Sequence, residues 1–162
     1  MEWETCTLRK YLVFILFFCV FALPGLFGAA VSCLVIETGL PQGGPKTQYS
    51  TMWENNLMDV LFETGHIVSN GRMIRLDRKP AESFPGAAEC DFQEARDNGM
   101  DYFLIAIIEQ GSGGVKSVCL RLFSIKSRVL IKEQVYDIKP RSSREEIDNI
   151  KRAIGLIAAQ IN

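Results

Sequence analysis

Residues 39–47 read Gly-Leu-Pro-Gln-Gly-Gly-Pro-Lys-Thr, the stretch of this chain most like a phosphate-binding loop. Such a loop needs G-x-x-x-x-G-K-[ST], because consecutive backbone N–H groups wrap the phosphates and the lysine reaches the outer ones. Here Pro45 stands between Gly44 and Lys46. Proline has no N–H to donate and fixes its own φ, so it damages the cradle itself. The expectation is a Gly/Pro loop leading into a helix.

The other reactive residues are scattered. His66 is the sole histidine, which excludes a histidine-rich metal site and a paired-histidine mechanism. Beyond residue 30 the cysteines are Cys33, Cys90 and Cys119, with no C-x-x-C spacing for zinc or thioredoxin chemistry. Ser112 lies in a Gly-rich turn, without the strand–Ser–helix context of a nucleophile elbow. Glu145 and Glu146 stand at a helix start, where the dipole favours acids in any case. Arg72, Arg75, Arg78 and Lys79 form the one local basic cluster, a candidate contact for a partner or for anionic headgroups, balanced by Asp77 and Glu82. No catalytic residue, cofactor or metal is expected.

The first residues carry a different signal. Arg9 and Lys10 precede thirteen uncharged, mainly apolar residues, 11–23, and Pro24-Gly25 then breaks the helix. A spanning helix needs roughly 20 apolar residues, so this run fits a signal-peptide core better. Three readings stand. Gly28 and Ala30 suit cleavage by a signal peptidase, giving a mature domain 31–162. Ala30, Val31, Ser32 and Cys33 also resemble a loose lipobox, with Cys33 acylated and Cys90 and Cys119 left as a pair for a disulfide. The last is an uncleaved anchor. Removing residues 1–30 takes away Glu2, Glu4, Arg9 and Lys10, two of each sign, so net charge stays at −1. That balance gives no reason to expect a nucleic-acid partner.

The remaining pattern predicts one domain. A β-branched strand over 31–37 is followed by a helix with Thr51 and Glu54 as a capping box and Gly65 as its stop. A short strand over 66–69 meets Asn70-Gly71, a tight-turn signal, and residues 72–76 fold back as a second leg. Asp91 and Glu94 cap a short helix closed by Gly99. Residues 102–108 form a strand apolar enough for burial on both faces. Strands near 118–123 and 129–135 follow, then a helix opened by Ser142 and Glu145 with Ile147, Ile150, Ile154, Ile157 and Ile161 in one stripe. The order β-α-β-α-β-β-β-α, with right-handed crossovers, predicts a three-layer α/β/α domain with a mixed five-stranded sheet.

Several of these segments resemble a family of bacterial envelope domains that includes the TolB N-terminal domain, CsgG and LpoB. The matching features are the helix end from Leu61 through Gly65 to Val68, and Glu94-Ala95-Arg96 leading through Gly99 and Asp101-Tyr102 into a strand. The hairpin through Val118, Leu122 and Val129 also matches. The resemblance implies a sheet order of 2-1-3-4-5, binding rather than catalysis, and no catalytic residues. The expected function is thus an exported, periplasmic or membrane-anchored envelope module that docks on or regulates an assembly. A self-assembling homo-oligomer is the second reading, and a nucleotide-binding enzyme the third.

Overall fold

The structure is a computed structural model that describes residues 28–41, 44–76, 88–112, 114–137 and 143–161. The elements are β1 (Ala30–Thr38), α1 (Gln48–Glu63), β2 (Ile67–Asn70), β3 (Ile74–Leu76), α2 (Glu89–Asp97), β4 (Tyr102–Gly111), β5 (Gly114–Ser124), β6 (Leu130–Asp137) and α3 (Ser143–Ala158). The sheet order is β2-β1-β4-β5-β6, with β3 also on β1, so the mixed α/β sheet has the expected order. β1 is parallel to β2, β3 and β4, and the last two pairings are antiparallel.

Period-2 alternation along β1 divides the core. Val31, Cys33 and Val35 face one apolar cluster with Trp53, Leu57 and Leu61 of α1 and Ile150, Ile154 and Ile157 of α3. Leu34 and Ile36 face a second cluster with Phe92 and Ala95 of α2. Helices therefore cover both faces, and β4 is buried on each: Phe103, Leu104, Ile105, Ala106, Ile107 and Ile108 are all 3% exposed or less. Each fully buried large apolar side chain contributes about 1.5–3 kcal/mol of transfer free energy. Phe92 and Phe103 meet edge to face at 5.6 Å, fixing α2 on its side of the sheet.

Three local expectations need correction. Residues 72–76 do not fold back on 67–70 as a hairpin. Both segments run parallel to β1 along one edge, and Gly71 N–H bonds Cys33 C=O in the gap. Cys33 pairs with Asn70 and Ile36 with Ile74, so three steps on β1 match four on its neighbour. The extra residue is a bulge, and it absorbs the Asn-Gly signal. The cap of α1 is Thr47, not Thr51: its Oγ1 accepts from Ser50 N–H, while Thr51 lies in the first turn. Asp91 lies inside α2, whose N-cap Ala88 offers no side-chain bond. Ser142 and residues 1–27 lie outside the described residues.

Both glycine stops hold. Gly65 (φ 89°) and Gly99 (φ 72°) adopt left-handed backbone after α1 and α2. His66 N–H reaches Leu61 C=O and Met100 N–H reaches Ala95 C=O, the six-to-one bonds of a Schellman ending.

Candidate functional site

β1 lies between β2/β3 and β4, which are reached by crossovers in opposite directions. In α/β sheets the crevice at the carboxyl ends of such strands is where ligands collect. Here the crevice is built from the end of β1, residues 44–47 and the start of α1. Glu37 is the next residue after Val35 on the α1 face of β1, and it is 0% exposed. Arg75 is its direct cross-strand partner on β3, which places the two side chains on one face.

The Glu37 carboxylate is fully engaged. Oε1 accepts from Thr47 Oγ1 at 2.5 Å, from Thr47 N–H at 3.2 Å and from the Ser50 hydroxyl. Oε2 accepts from Arg75 Nε at 2.9 Å and from the Arg75 terminal nitrogen, which also donates to Pro45 C=O at 2.6 Å. Burial pushes the Glu37 pKa up, but bonds from Ser50, Thr47 and Arg75 outweigh it, leaving the carboxyl below its ordinary value. The α1 N-terminus, where orphan N–H groups and the helix dipole attract an anion, is thus filled by the chain's own carboxylate.

Lys46, its side chain 40% exposed, pairs with Glu54 at the surface of the clamp. Its Nζ donates to Glu54 Oε1 at 2.7 Å and Oε2 at 2.5 Å, and Asn70 Nδ2 donates to the same carboxylate. Glu54, expected as part of a capping box, is instead the buried acceptor that ties α1 to the loop and β2. Pro45, Lys46 and Thr47 are thus clamped onto Arg75, Glu54 and Glu37. Gly39 (φ 81°) turns the chain, and a Cβ there would lie 2.6 Å from Gln110 C=O of β4. Pattern reasoning missed Glu37 and Arg75 as a pair. The available signal was an acid at a core-facing position of β1, with an arginine in the adjacent strand.

The other expected residues are dispersed. Arg72 is exposed, Arg75 is held by Glu37 with its side chain 8% exposed, and Arg78 and Lys79 lie outside the described residues. Cys33 is 1% exposed in the α1–α3 core, and burial pushes its thiol up to about 12. Cys119 lies in the α2-side core and Cys90 on the exposed surface of α2, and neither is in a disulfide in this structure. His66 is half-buried at the end of α1, and Ser112 sits in the β4–β5 turn.

These features define a three-layer α/β domain whose crevice is self-occupied. No protein-family model matches the chain, and no curated protein sequence does. Solved structures with similar folds include a PelC dodecamer from Paraburkholderia phytofirmans, at 16% identity over 86% of this chain and 93% of that one, TM-score 0.49. The LpoB C-terminal domain from Escherichia coli is similar at 13% identity over 72% of this chain and 87% of that one, TM-score 0.43. TolB from Acinetobacter baumannii is similar at 14% identity over 82% of this chain but 28% of that one, TM-score 0.40.

Proposed function

We propose that this chain is an exported, non-enzymatic domain of a bacterial-type envelope that docks on another envelope protein through its β6 edge. The observation that carries this reading is the composition of that edge. Val129, Leu130, Ile131 and Val135 are 56%, 41%, 39% and 55% exposed, and β6 stands last in the sheet order among the described residues. An edge strand of this kind is a template for a strand from another chain. The Glu37 clamp supports binding over catalysis, since the crevice that would hold a small anionic substrate already holds a carboxylate.

In this reading Cys33 stays a core thiol. An acyl chain on a side chain 1% exposed would have to pull β1 away from α1. Arg72 is the described member of the basic cluster left for a partner or a headgroup.

A photo-crosslinking residue at Val135 tests the proposal in cells, with one at Leu156 on α3, also exposed at 52%, as the control. One discrete adduct from Val135 and none from Leu156 is expected. An adduct of twice the chain's mass would favour the self-assembling reading instead. Equal or absent labelling at both positions overturns docking through β6.

A further inference from the structure

β6 carries charged as well as apolar side chains, and register sorts them by face. Leu130 pairs with Phe123, Glu133 with Arg121 and Val135 with Cys119, and Phe123 and Cys119 belong to the core cluster on the α2 side. Lys132 pairs with Leu122, Gln134 with Leu120 and Tyr136 with Val118, all three partners in the cluster that α1 and α3 cover. Tyr136 packs against that cluster and donates its hydroxyl to Ala153 C=O of α3 at 3.3 Å. Lys132 and Glu133 differ in standing. Glu133 is engaged by Arg121 at 2.5 Å. Lys132 is exposed, with no ion-pair partner among the described residues.

Resting on docking through β6, we propose that this edge selects a strand from a different protein and refuses a second copy of itself. The selected strand places an acidic side chain beside Lys132 and an apolar one beside Val135.

Refusal follows from register. A second copy would extend the sheet as a two-fold antiparallel pair, in which the same strand meets itself. Opposed residues of such a pair share a face, because side chains alternate with a period of 2. Lys132 and Glu133 are neighbours on opposite faces, so no two-fold register sets one against the other. The register centred on Lys132 opposes two lysines, and the one centred on Glu133 opposes two glutamates. Like charges directly opposite are destabilising. Centring on Gln134 sets Lys132 against Tyr136 and Glu133 against Val135, so the exposed apolar side chain meets a carboxylate. Centring on Val135 aligns residues 133–137 alone and leaves Leu130, Ile131 and Lys132 outside the ladder. Lys132 gains an acid in none of these.

A foreign strand is free of that constraint. Lys132 and Val135 lie three positions apart on opposite faces. A strand running along β6 in either direction meets both with an acid and an apolar residue at the same spacing, also on opposite faces. It neutralises Lys132 and covers Val135, which is 55% exposed.

A photo-crosslinking residue at Val135 of the full chain, in cells, tests this selection. Lys132→Glu should lower the yield of the adduct by roughly threefold to tenfold, Lys132→Gln by less, and Lys132→Arg should leave it unchanged. Lys132 is exposed, so all three variants should melt with the unmodified protein, which separates lost contact from lost fold. Sequencing the crosslinked peptide should show Asp or Glu about three positions from the labelled residue. Reversing that acid to Lys in the partner should restore the adduct of Lys132→Glu. A discrete adduct with another protein, equal in yield across the variants, overturns the charge selection and leaves docking through β6 standing. An adduct of twice the chain's mass overturns the refusal of a second copy. No adduct from Val135 overturns the selection together with β6 docking.

Discussion

The β2–β3 edge is short, broken by one extra residue and bound to its neighbour by a buried ion pair. The β6 edge runs eight residues, Leu130–Asp137, with an inserted residue at Ile131 and then unbroken register from Lys132 to Asp137 against β5. On the first edge the charged side chain turns inward: Arg75 is spent on Glu37 and on Pro45 C=O. On the second, apolar side chains are exposed, and an ion pair, Arg121 with Glu133 at 2.5 Å, joins β6 to β5. Sheets protect edges by shortening, bulging and charging them. The β2–β3 edge is the shorter of the two and its charge is turned inward, whereas the β6 edge, bulged at Ile131 and carrying Lys132, Glu133 and Asp137, keeps Leu130, Ile131 and Val135 exposed. The difference separates a part that holds the fold together from a part available for contact.

Breaking the inward edge should have the largest effect. Glu37→Gln leaves Arg75 buried without its counter-charge, and removing one partner of a buried pair costs about 3–5 kcal/mol. Denaturant melts should show a midpoint well below the unmodified protein, and a midpoint within error of it would remove the clamp's structural role. Acid should act on the same group. The folded-state pKa of Glu37 is lowered, so its stabilisation is present above the ordinary carboxylate pKa and is lost as pH falls through the folded value. Asp91, which burial pushes upward, works in the opposite sense, losing its contribution as pH rises. Melts from about pH 6 to about pH 3 should lose stability more steeply in the unmodified protein than in Glu37→Gln. Parallel slopes would show that other carboxylates carry the acid response.

Gly39→Ala comes next. It forces a side chain into left-handed backbone and toward Gln110 C=O, for a loss of about 2 kcal/mol or more. Thr47→Ala removes the cap on Ser50 N–H and a bond to Glu37, with an expected loss of about 1–2 kcal/mol. If Thr47→Ala costs more than Gly39→Ala by the same melts, the clamp depends more on its hydroxyl bonds than on the turn.

The layered fold was legible because three signals agreed: apolar alternation in strands, the isoleucine stripe of α3, and glycine stops after two helices. Local choices were less legible where two signals competed. Thr51 with Glu54 satisfied a capping-box spacing, yet Thr47 had the buried Glu37 to bond and took the cap. Asn70-Gly71 favoured a reversal, yet Ile74 and Leu76 could join the second apolar cluster only by continuing along β1. The clamp was missed for a related reason. Glu37 and Arg75 lie far apart in sequence, and only the β1–β3 register makes them neighbours.

The smallest expected effect tests the β6 edge. Val135 is 55% exposed and pairs across to Cys119 on the α2 side of the sheet, so Val135→Lys removes little buried area. Stability should stay within about 0.5 kcal/mol of the unmodified protein, as for most surface substitutions. A lysine on that edge opposes strand addition, because the incoming chain must cover its charge. Crosslinking from Ile131 should therefore fall sharply in Val135→Lys while its melt is unchanged. Together, these results would show that β6 contributes to association and not to folding. A melt displaced as far as in Glu37→Gln would place β6 among the elements that hold the fold, and the contrast between the two edges would fail.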